Sequence, residues 1–178
     1  YDAFSDELRP FRPGTVPDAP SYVVSKRVAE SLAAAGLYEI RPLPFVRDAG
    51  PTGIHVVNPL AETEAMLRSG LMDTLLRRVE YNFAHMTRHV RLFEVGVAFE
   101  RIGDGALPGE RTLAAAVLTG DRFPAHFTDA KPPQIDRWDA KWIAERIGAA
   151  AFGEGRLILR PDDSGDGWDA VIEGRVIG

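Results

Sequence analysis

The chain has 178 residues, 45% apolar and 26% charged, which is enough for one domain with a sizeable core and unlike a disordered chain. Its formal net charge of −5 argues against a domain whose whole surface grips nucleic acid, and the lack of cysteine excludes disulfides and thiolate metal sites. With no cysteine and no apolar run as long as a membrane span, we expect a cytoplasmic protein without membrane contact.

The chain is predicted to open with a linker and a helix. Residues 1–20 contain four prolines without helical or strand periodicity, which predicts a linker from a preceding domain, followed by a core domain at 21–178. Ser21 is expected to cap a helix that ends at Gly36. The apolar face of that helix is formed by Val24, Val28, Leu32 and Ala35.

The next part of the chain predicts two short strands and the strongest helix of the sequence. Residues 37–46 are expected to form a strand interrupted by Pro42 and Pro44, and residues 54–57 a second strand. A helix follows, because apolar residues recur four positions apart at Leu67, Leu71, Leu75, Val79 and Phe83.

Residues 90–99 alternate with the two-residue period of a strand. One predicted face carries Phe93, Val95, Val97 and Phe99, and the other carries Leu92, Glu94, Gly96 and Ala98. The second face has unusually small side chains, which favours the close approach of a helix or another chain over a floor for a ligand. A strand at 112–119 is expected to pair with this one in antiparallel orientation.

A last helix is predicted at about residues 137–151, beginning near Asp136 and carrying Trp138 and Trp142. The spacing of these two tryptophans favours anchors in the core or in an interface over stacking on nucleic-acid bases. Strands are expected at 156–159 and 169–177. Together the elements predict an α+β fold with a mainly antiparallel sheet flanked by helices.

Six segments, in chain order, carry a resemblance to a known family. They are AAGLYEI at 34–40, NPL at 58–60 with MLRSGL at 66–71, RLFEVGVAF at 91–99, VLTG at 117–120, DRWDAK at 136–141 and GRVIG at 174–178. Each is short, but their order over the whole chain is specific. The chain resembles the central, synthetase-like core of the beta subunit of bacterial phenylalanyl-tRNA synthetase.

The resemblance implies a class II aminoacyl-tRNA synthetase catalytic-like fold, truncated at its C-terminus, within an enzyme of two alpha and two beta chains. In that family the alpha chains hold phenylalanine and ATP, so the implied role is a non-catalytic structural and assembly domain. The implied partners are the alpha chain, a second beta chain and, through the whole enzyme, tRNA. ATP and magnesium are expected for the whole enzyme, whereas no catalytic, cofactor-binding or metal residue is expected in this chain.

An alternative is an active class II adenylate-forming domain, which needs arginines on the sheet to hold the phosphates of ATP. The resemblance places one such arginine directly after Phe99, where this chain has Glu100. A carboxylate there repels phosphates, and Arg101 is expected to point to the opposite face of the strand. The second signature of the family would lie beyond Gly178, so the residues present cannot complete such a site.

A third hypothesis is a free-standing tRNA-binding module. The negative net charge disfavours it, but a local excess of arginine supports it, at Arg68, Arg77, Arg78, Arg88 and Arg91. The candidate RNA contacts are Arg77, Arg78 and Arg88.

The first helix supplies the candidate subunit interface, because it has apolar residues on more than one side. In class II synthetases, whose fold the resemblance implies, the matching first helix and strand form the subunit interface. The residues concerned are Tyr22, Val23, Ala33 and Ala34. We expect them to form a contiguous apolar patch.

Two histidines have a spacing that suits a metal site. His85 and His89 are four residues apart, as on one face of a zinc-binding helix. No acidic third ligand accompanies them, which favours a helix C-cap or a surface role.

Overall fold

The computed structural model describes residues 18–51, 53–103, 105 and 107–178. Most of the predicted linker, residues 1–17, therefore lies outside the described residues. The described residues form three α-helices: α1 (Pro20–Ala34), α2 (Met72–Ala84) and α3 (Arg137–Phe152). They also form nine strands: β1 (Tyr38–Glu39), β2 (Phe45–Val46), β3 (Ile54–His55), β4 (Met66–Leu67), β5 (Arg91–Glu100), β6 (Gly109–Leu118), β7 (Ile158–Pro161), β8 (Trp168–Ile172) and β9 (Arg175–Val176).

The start of α1 differs from the sequence prediction. Pro20 is the first helical residue and Ala19 is the N-cap, so Ser21 is not the cap and no side chain caps this end. Proline suits the first helical position because its fixed φ is helical. The N–H that proline lacks would have no hydrogen-bond partner within the helix at that position. The predicted end is confirmed: Gly36 follows the helix with a φ of 85°, a left-handed conformation that favours glycine.

The largest sheet has the strand order β1-β5-β6. Strands β5 and β6 form the predicted antiparallel hairpin, paired from Arg91 with Leu118 to Glu100 with Gly109. The short strand β1 adds to β5 in parallel, with Tyr38 opposite Leu92. The sheet is therefore mixed rather than wholly antiparallel.

Helices α1 and α3 cover one face of this sheet and form the core with it. The buried cluster contains Val28 and Leu32 of α1, Leu37, Phe93 of β5 and Ile143 of α3. Phe93 belongs to the face predicted to be apolar, and its side chain has no solvent exposure. The opposite face of β5 is covered by α2, through Thr74 beside Glu94.

A second sheet has the order β2-β4-β3, and it corrects two predictions. Residues 37–46 are not one strand, because β1 and β2 belong to different sheets. Pro42 and Pro44 lie between them and lack the N–H that a continuous ladder needs. Leu67 is not part of the long helix: it lies in β4, opposite Phe45, and α2 begins only at Met72.

The third sheet, β7-β8-β9, follows α3. The predicted strand at 169–177 is divided into β8 and β9 by a turn in which Glu173 and Gly174 both have positive φ. The α+β class is confirmed, but the strands form three small sheets instead of one. Within the part of the chain that the structure describes, no helix combines the length and the apolar character needed to cross a membrane.

The N-terminus of α3 confirms the prediction that the helix begins near Asp136. The Asp136 carboxylate accepts hydrogen bonds from the backbone N–H groups of Trp138 and Asp139, and the Asp139 carboxylate accepts one from Asp136 N–H. This reciprocal capping box satisfies N–H groups that have no partner within the helix.

Candidate functional site

A buried ion pair occupies the face of β5 that the sequence predicts to have small side chains. Arg68 and Glu94 are 4% and 3% exposed, and Arg68 Nη2 lies 2.6 Å from Glu94 Oε1. Arg68 Nε also donates to Val97 O at 2.9 Å. The guanidinium is therefore held by a carboxylate and by the backbone of the strand beneath it.

The ion pair is connected to α2 through a threonine. Thr74 Oγ1 lies 2.8 Å from Leu71 O and 3.3 Å from Glu94 Oε2, so its single proton can be donated to either oxygen. Arg68 Nη1 lies 3.4 Å from the same hydroxyl oxygen. All three polar side chains are buried, and each has at least one partner, as buried polar groups require.

The backbone of Arg68 links the second sheet to the first. Arg68 N–H donates to Pro44 O at 3.0 Å, and Phe99 N–H donates to Arg68 O at 2.9 Å. The position of the guanidinium is thus fixed by main-chain bonds on both sides. The cluster is part of the framework where two sheets and α2 meet.

Gly96 makes room for this ion pair. A Cβ added at Gly96 would lie 2.5 Å from both Arg68 Nη2 and Glu94 Oε1, so the two charged groups would have to shift to accommodate it. The small side chains of this face therefore permit close approach, as the sequence suggests. At Gly96 the approaching groups are the side chains of Arg68 and Glu94, while α2 covers the same face beside Glu94.

The sequence reasoning missed the pairing of Arg68 with Glu94. One signal was present: Glu94 is an isolated acid on a strand face whose neighbours are apolar or small. An ionised group on a face that a helix covers needs a cationic partner.

Glu100 ends β5 on the same side as Glu94, since the two are six residues apart on a strand. Its carboxylate lies 3.3 Å from Arg111 Nε of β6, and both side chains are about half exposed. The position at which the family resemblance expects a phosphate-binding arginine thus holds an acid that pairs with an arginine of its own hairpin.

Two adjoining hollows, of about 450 and 300 Å³, lie at the other end of the sheet. They share Arg91 and Phe123 as lining residues. Arg91 Nη2 donates to Asp121 O at 3.0 Å and to Arg122 O at 2.6 Å, and Arg122 pairs with Asp139 at 2.9 Å. Arg122 is therefore neutralised by Asp139, whereas the hydrogen-bond partners of Arg91 are backbone carbonyls.

Comparison with known proteins identifies the family. A family model described as the phenylalanyl tRNA synthetase beta chain CLM domain matches residues 8–165, most of the chain. The chain belongs to this family. The resemblance carried by the sequence motifs is thereby confirmed.

Individual relatives agree with the family model. The phenylalanine–tRNA ligase beta subunit of Protochlamydia amoebophila is 30% identical over 162 residues, which cover 83% of this chain and 19% of that protein. The beta subunit of Staphylococcus aureus strain USA300 is 27% identical over 165 residues, covering 86% of this chain and 20% of that protein. The chain therefore spans about a fifth of the length of these relatives.

Solved structures show the same fold in another synthetase. A pyrrolysyl-tRNA synthetase from Desulfitobacterium hafniense gives a TM-score of 0.63, with 89% of this chain and 57% of that chain covered. A second structure, PylSc of the same organism, gives 0.58, with 86% and 52% covered. Sequence identity is 16% in both cases, so the likeness concerns the fold alone.

The candidate interface of this CLM domain lies on the outer side of α1. Tyr22 is 56% exposed, and Val23, Ala33 and Ala34 are also exposed, while Val28 and Leu32 face the core. Tyr22 and Val23 lie at the start of the helix, and Ala33 and Ala34 lie at its end. Along the helix the expected apolar patch is interrupted, because the charged residues Lys26 and Glu30 lie between the two pairs and approach each other to 4.0 Å.

The three candidate RNA contacts have different environments. Arg77 forms an ion pair with Glu64, which offsets its charge. Arg78 and Arg88 are exposed, and the Arg88 guanidinium lies 4.9 Å from the centre of the Phe83 ring. Two of the three arginines therefore keep a charge available at the surface, and contact with RNA stays a prediction.

The two histidines have separate partners. His85 is the C-cap of α2, as the sequence favours, and its Nδ1 lies 2.7 Å from Tyr81 O. His89 Nδ1 instead accepts the N–H of Asp121 at 3.1 Å. Among the residues that the structure describes, no three metal-ligating side chains of the His, Cys, Asp or Glu type come together.

Proposed function

We propose that this CLM domain is a non-catalytic structural and assembly domain in the beta chain of a cytoplasmic phenylalanine–tRNA ligase, with the catalytic-like fold of class II synthetases. Family membership supports the assignment to this ligase. The observation that carries the non-catalytic part is Glu100, which stands where a phosphate-binding arginine is expected and pairs with Arg111.

The charges on this face of β5 do not suit ATP or magnesium. Adenylate formation depends on fixed positive charges that stabilise phosphate oxygens. Arg68 is buried and neutralised by Glu94, and Glu100 is an acid paired with Arg111, so neither position supplies a positive charge for phosphate. The proposed ligase therefore binds ATP and magnesium outside this domain.

The proposed partners are the alpha chain and a second beta chain, with tRNA bound by the whole enzyme. The support within the chain is the outer side of α1, where Tyr22 and Val23 are exposed although both are apolar or aromatic. Tyrosine is enriched at the centres of protein interfaces because it buries a large ring and keeps a polar group available.

The test is assembly of the whole ligase. The complete beta chain is co-produced with its alpha chain, and its oligomeric state is measured by size-exclusion chromatography with light scattering. We expect Tyr22→Asp with Val23→Asp to yield dissociated chains, because the substitutions place two charges in an apolar interface. Thermal melts of the 178-residue chain check that the variant folds, as expected for two exposed positions.

The matched control places the same charges on another exposed apolar pair. Val57 and Leu60 are 92% and 82% exposed, so Val57→Asp with Leu60→Asp is expected to leave assembly intact. The proposal fails if the α1 variant assembles like the parent, or if the control disrupts assembly to the same extent.

The tRNA-binding module is the rival that keeps some support, from the exposed Arg78 and Arg88. Titration of the 178-residue chain with tRNA separates the two hypotheses. A free-standing module would bind tRNA with a steep salt dependence that weakens when both arginines are replaced by alanine. An assembly domain would show no binding beyond that of an unrelated protein with the same net charge.

A further inference from the structure

Helix α3 carries three large aromatic residues on its solvent side. Trp138, Trp142 and Phe152 are 56%, 47% and 43% exposed. At about 100° per residue, they lie within roughly a quarter of the helix circumference. Ile143 fills the core from the other side, so the two tryptophans are not core anchors, and the interface alternative of that prediction stays a prediction.

Trp138 is held in a defined orientation by residues around it. Its ring centre lies 5.2 Å from that of Trp168 in β8, with 53° between the ring planes. The Arg137 guanidinium lies 5.4 Å from the Trp138 ring, and Lys141 Nζ lies 5.7 Å from it. An exposed ring that is already ordered loses little side-chain entropy on binding, which favours its use as an anchor.

An acidic turn adjoins these rings. Arg137 Nη1 donates to Gly165 O at 2.9 Å, which ties the start of α3 to the turn between β7 and β8. The Asp162 carboxylate is used within the turn, where it accepts from Ser164 Oγ and Gly165 N–H at 2.8 Å each.

Two further carboxylates lie in this turn. Asp163 and Asp166 are exposed, and neither makes an ion pair with any residue that the structure describes. Negative charge is therefore available directly beside the aromatic side of α3.

We propose that this surface, formed by Trp138, Trp142, Phe152, Asp163 and Asp166, docks a protein segment that presents apolar side chains flanked by lysine or arginine. Aromatic side chains in fixed positions are the typical energetic centres of protein interfaces. The exposed carboxylates select a basic partner by charge complementarity and repel an acidic one. The surface lies on α3, so this proposal does not depend on the interface proposed for α1.

RNA is the less favoured occupant. Stacking of bases on tryptophan would require nearby cations to meet the phosphates. Lys141 beside Trp138 is paired with Glu145. Arg137 beside Trp138 and Arg146 beside Trp142 donate to the backbone carbonyls of Gly165 and Ser31. Asp163 and Asp166 are exposed in the turn to which Arg137 is bonded, and these two carboxylates would repel a phosphate backbone.

The test uses the 178-residue chain and a dye-labelled amphipathic peptide of leucine and lysine, with binding followed by fluorescence anisotropy. Emission of the three tryptophans, Trp138, Trp142 and Trp168, gives a second readout, since all lie on α3 or β8. We expect saturable binding that Trp138→Ala weakens by about tenfold or more. Asp163→Asn with Asp166→Asn should weaken it severalfold and reduce its salt dependence.

Controls separate this surface from general attraction to an acidic protein. Glu62→Gln with Glu110→Gln removes two exposed charges elsewhere and should leave the affinity unchanged. A leucine and glutamate peptide and single-stranded oligouridine should both fail to bind. The proposal is overturned if the leucine and lysine peptide does not bind, if the control variant weakens it equally, or if oligouridine binds in its place. Trp138→Phe should retain binding if Trp138→Ala is poorly folded, and its failure to do so overturns the proposal.

Discussion

The buried Arg68–Glu94 pair is compatible with a stable fold because each charge has a partner of opposite sign. Moving two charges out of water costs several kcal/mol per ion, and their attraction together with further hydrogen bonds offsets that cost only when the geometry is good. Here the guanidinium also donates to Val97 O, and the carboxylate also lies near Thr74. Loss of either partner would leave an uncompensated buried charge.

Replacement of Arg68 by methionine is therefore expected to destabilise the domain by about 3–5 kcal/mol, the usual cost of breaking a buried pair. Arg111→Ala is the matched control, because it removes an exposed pair with Glu100, and it should cost about 0–1 kcal/mol. Urea unfolding followed by circular dichroism measures both. Equal losses for the two variants would contradict the role assigned to Arg68.

Gly96 gives a second test of the same cluster. Gly96→Ala places a methyl group 2.5 Å from both Arg68 Nη2 and Glu94 Oε1, so the pair must move apart and stability should fall by about 1–3 kcal/mol. Gly70→Ala is the control, because no heavy atom lies within 4 Å of its added methyl and its φ is not positive. That variant should melt at or slightly above the parent temperature. A similar loss in both variants would count against the steric argument.

At the scale of elements, α2 shows how far hydrophobic periodicity determines burial. Leu71, Leu75 and Val79 are buried as their four-residue spacing predicts. Leu67 has the right spacing but belongs to β4, because Ser69 and Gly70 separate it from the helix and it pairs with strands on both sides. Periodicity identifies a face, whereas only the tertiary pairing decides where the helix begins.

The helix face is tested by two neighbouring leucines. Leu75 is fully buried and Leu76 is 47% exposed. Leu75→Asp should unfold the domain, since an unpaired buried carboxylate costs on the order of several kcal/mol against a typical stability of about 5–15 kcal/mol. Leu76→Asp should melt within a few degrees of the parent. Thermal melts of both variants decide this, and a folded Leu75→Asp chain would show that the core is misassigned.

The N-terminus of α3 makes stability depend on pH. Partial burial alone would raise the pKa of Asp139, but the Asp136 N–H and the Arg122 guanidinium together lower this pKa below its usual range. A lowered folded-state pKa means that the stabilisation is complete above the unfolded pKa and is lost as pH falls toward the folded pKa.

Asp139→Asn should therefore be less stable than the parent near neutral pH, and the difference should shrink below about pH 4. Urea unfolding at a series of pH values measures this difference. A gap between parent and variant that stays constant from neutral pH to acid would contradict the role of the ionised carboxylate.

For the whole molecule, the arginine-rich stretch shows that the sequence does not predict which partner each charged side chain will have. Arg68, Arg77 and Arg91 form part of a basic cluster in the sequence, yet the structure pairs them with Glu94, with Glu64 and with backbone carbonyls. Such pairings join residues distant in the chain, and composition cannot reveal them. The hairpin, the helices and the family could be predicted because they depend on local periodicity and on ordered motifs.

The two surfaces proposed for partners, on α1 and α3, differ in how far the sequence predicts their exposure. The sequence predicts that Tyr22 and Val23 are not core residues, and their exposure agrees. It does not predict that Trp138 and Trp142 face solvent, because helical spacing is the same for a buried and an exposed stripe. The core takes Ile143 from α3, with Ile147, Ala150 and Ala151 packed against it, and the aromatic side stays exposed.

Catalysis by the 178-residue chain can be measured as phenylalanine-dependent exchange between ATP and pyrophosphate. We expect no exchange above a buffer control, because Glu100 replaces a phosphate-binding cation with an acid paired to Arg111, and Arg68 is neutralised by Glu94. Glu100→Arg should also be inactive, and it should place two arginines close together by removing the partner of Arg111. Phosphate binding in an active site depends on several groups acting together, so one restored charge cannot supply it. Exchange above the control in the parent chain would overturn the non-catalytic assignment, while exchange only in Glu100→Arg would show that one acid blocks an otherwise complete site.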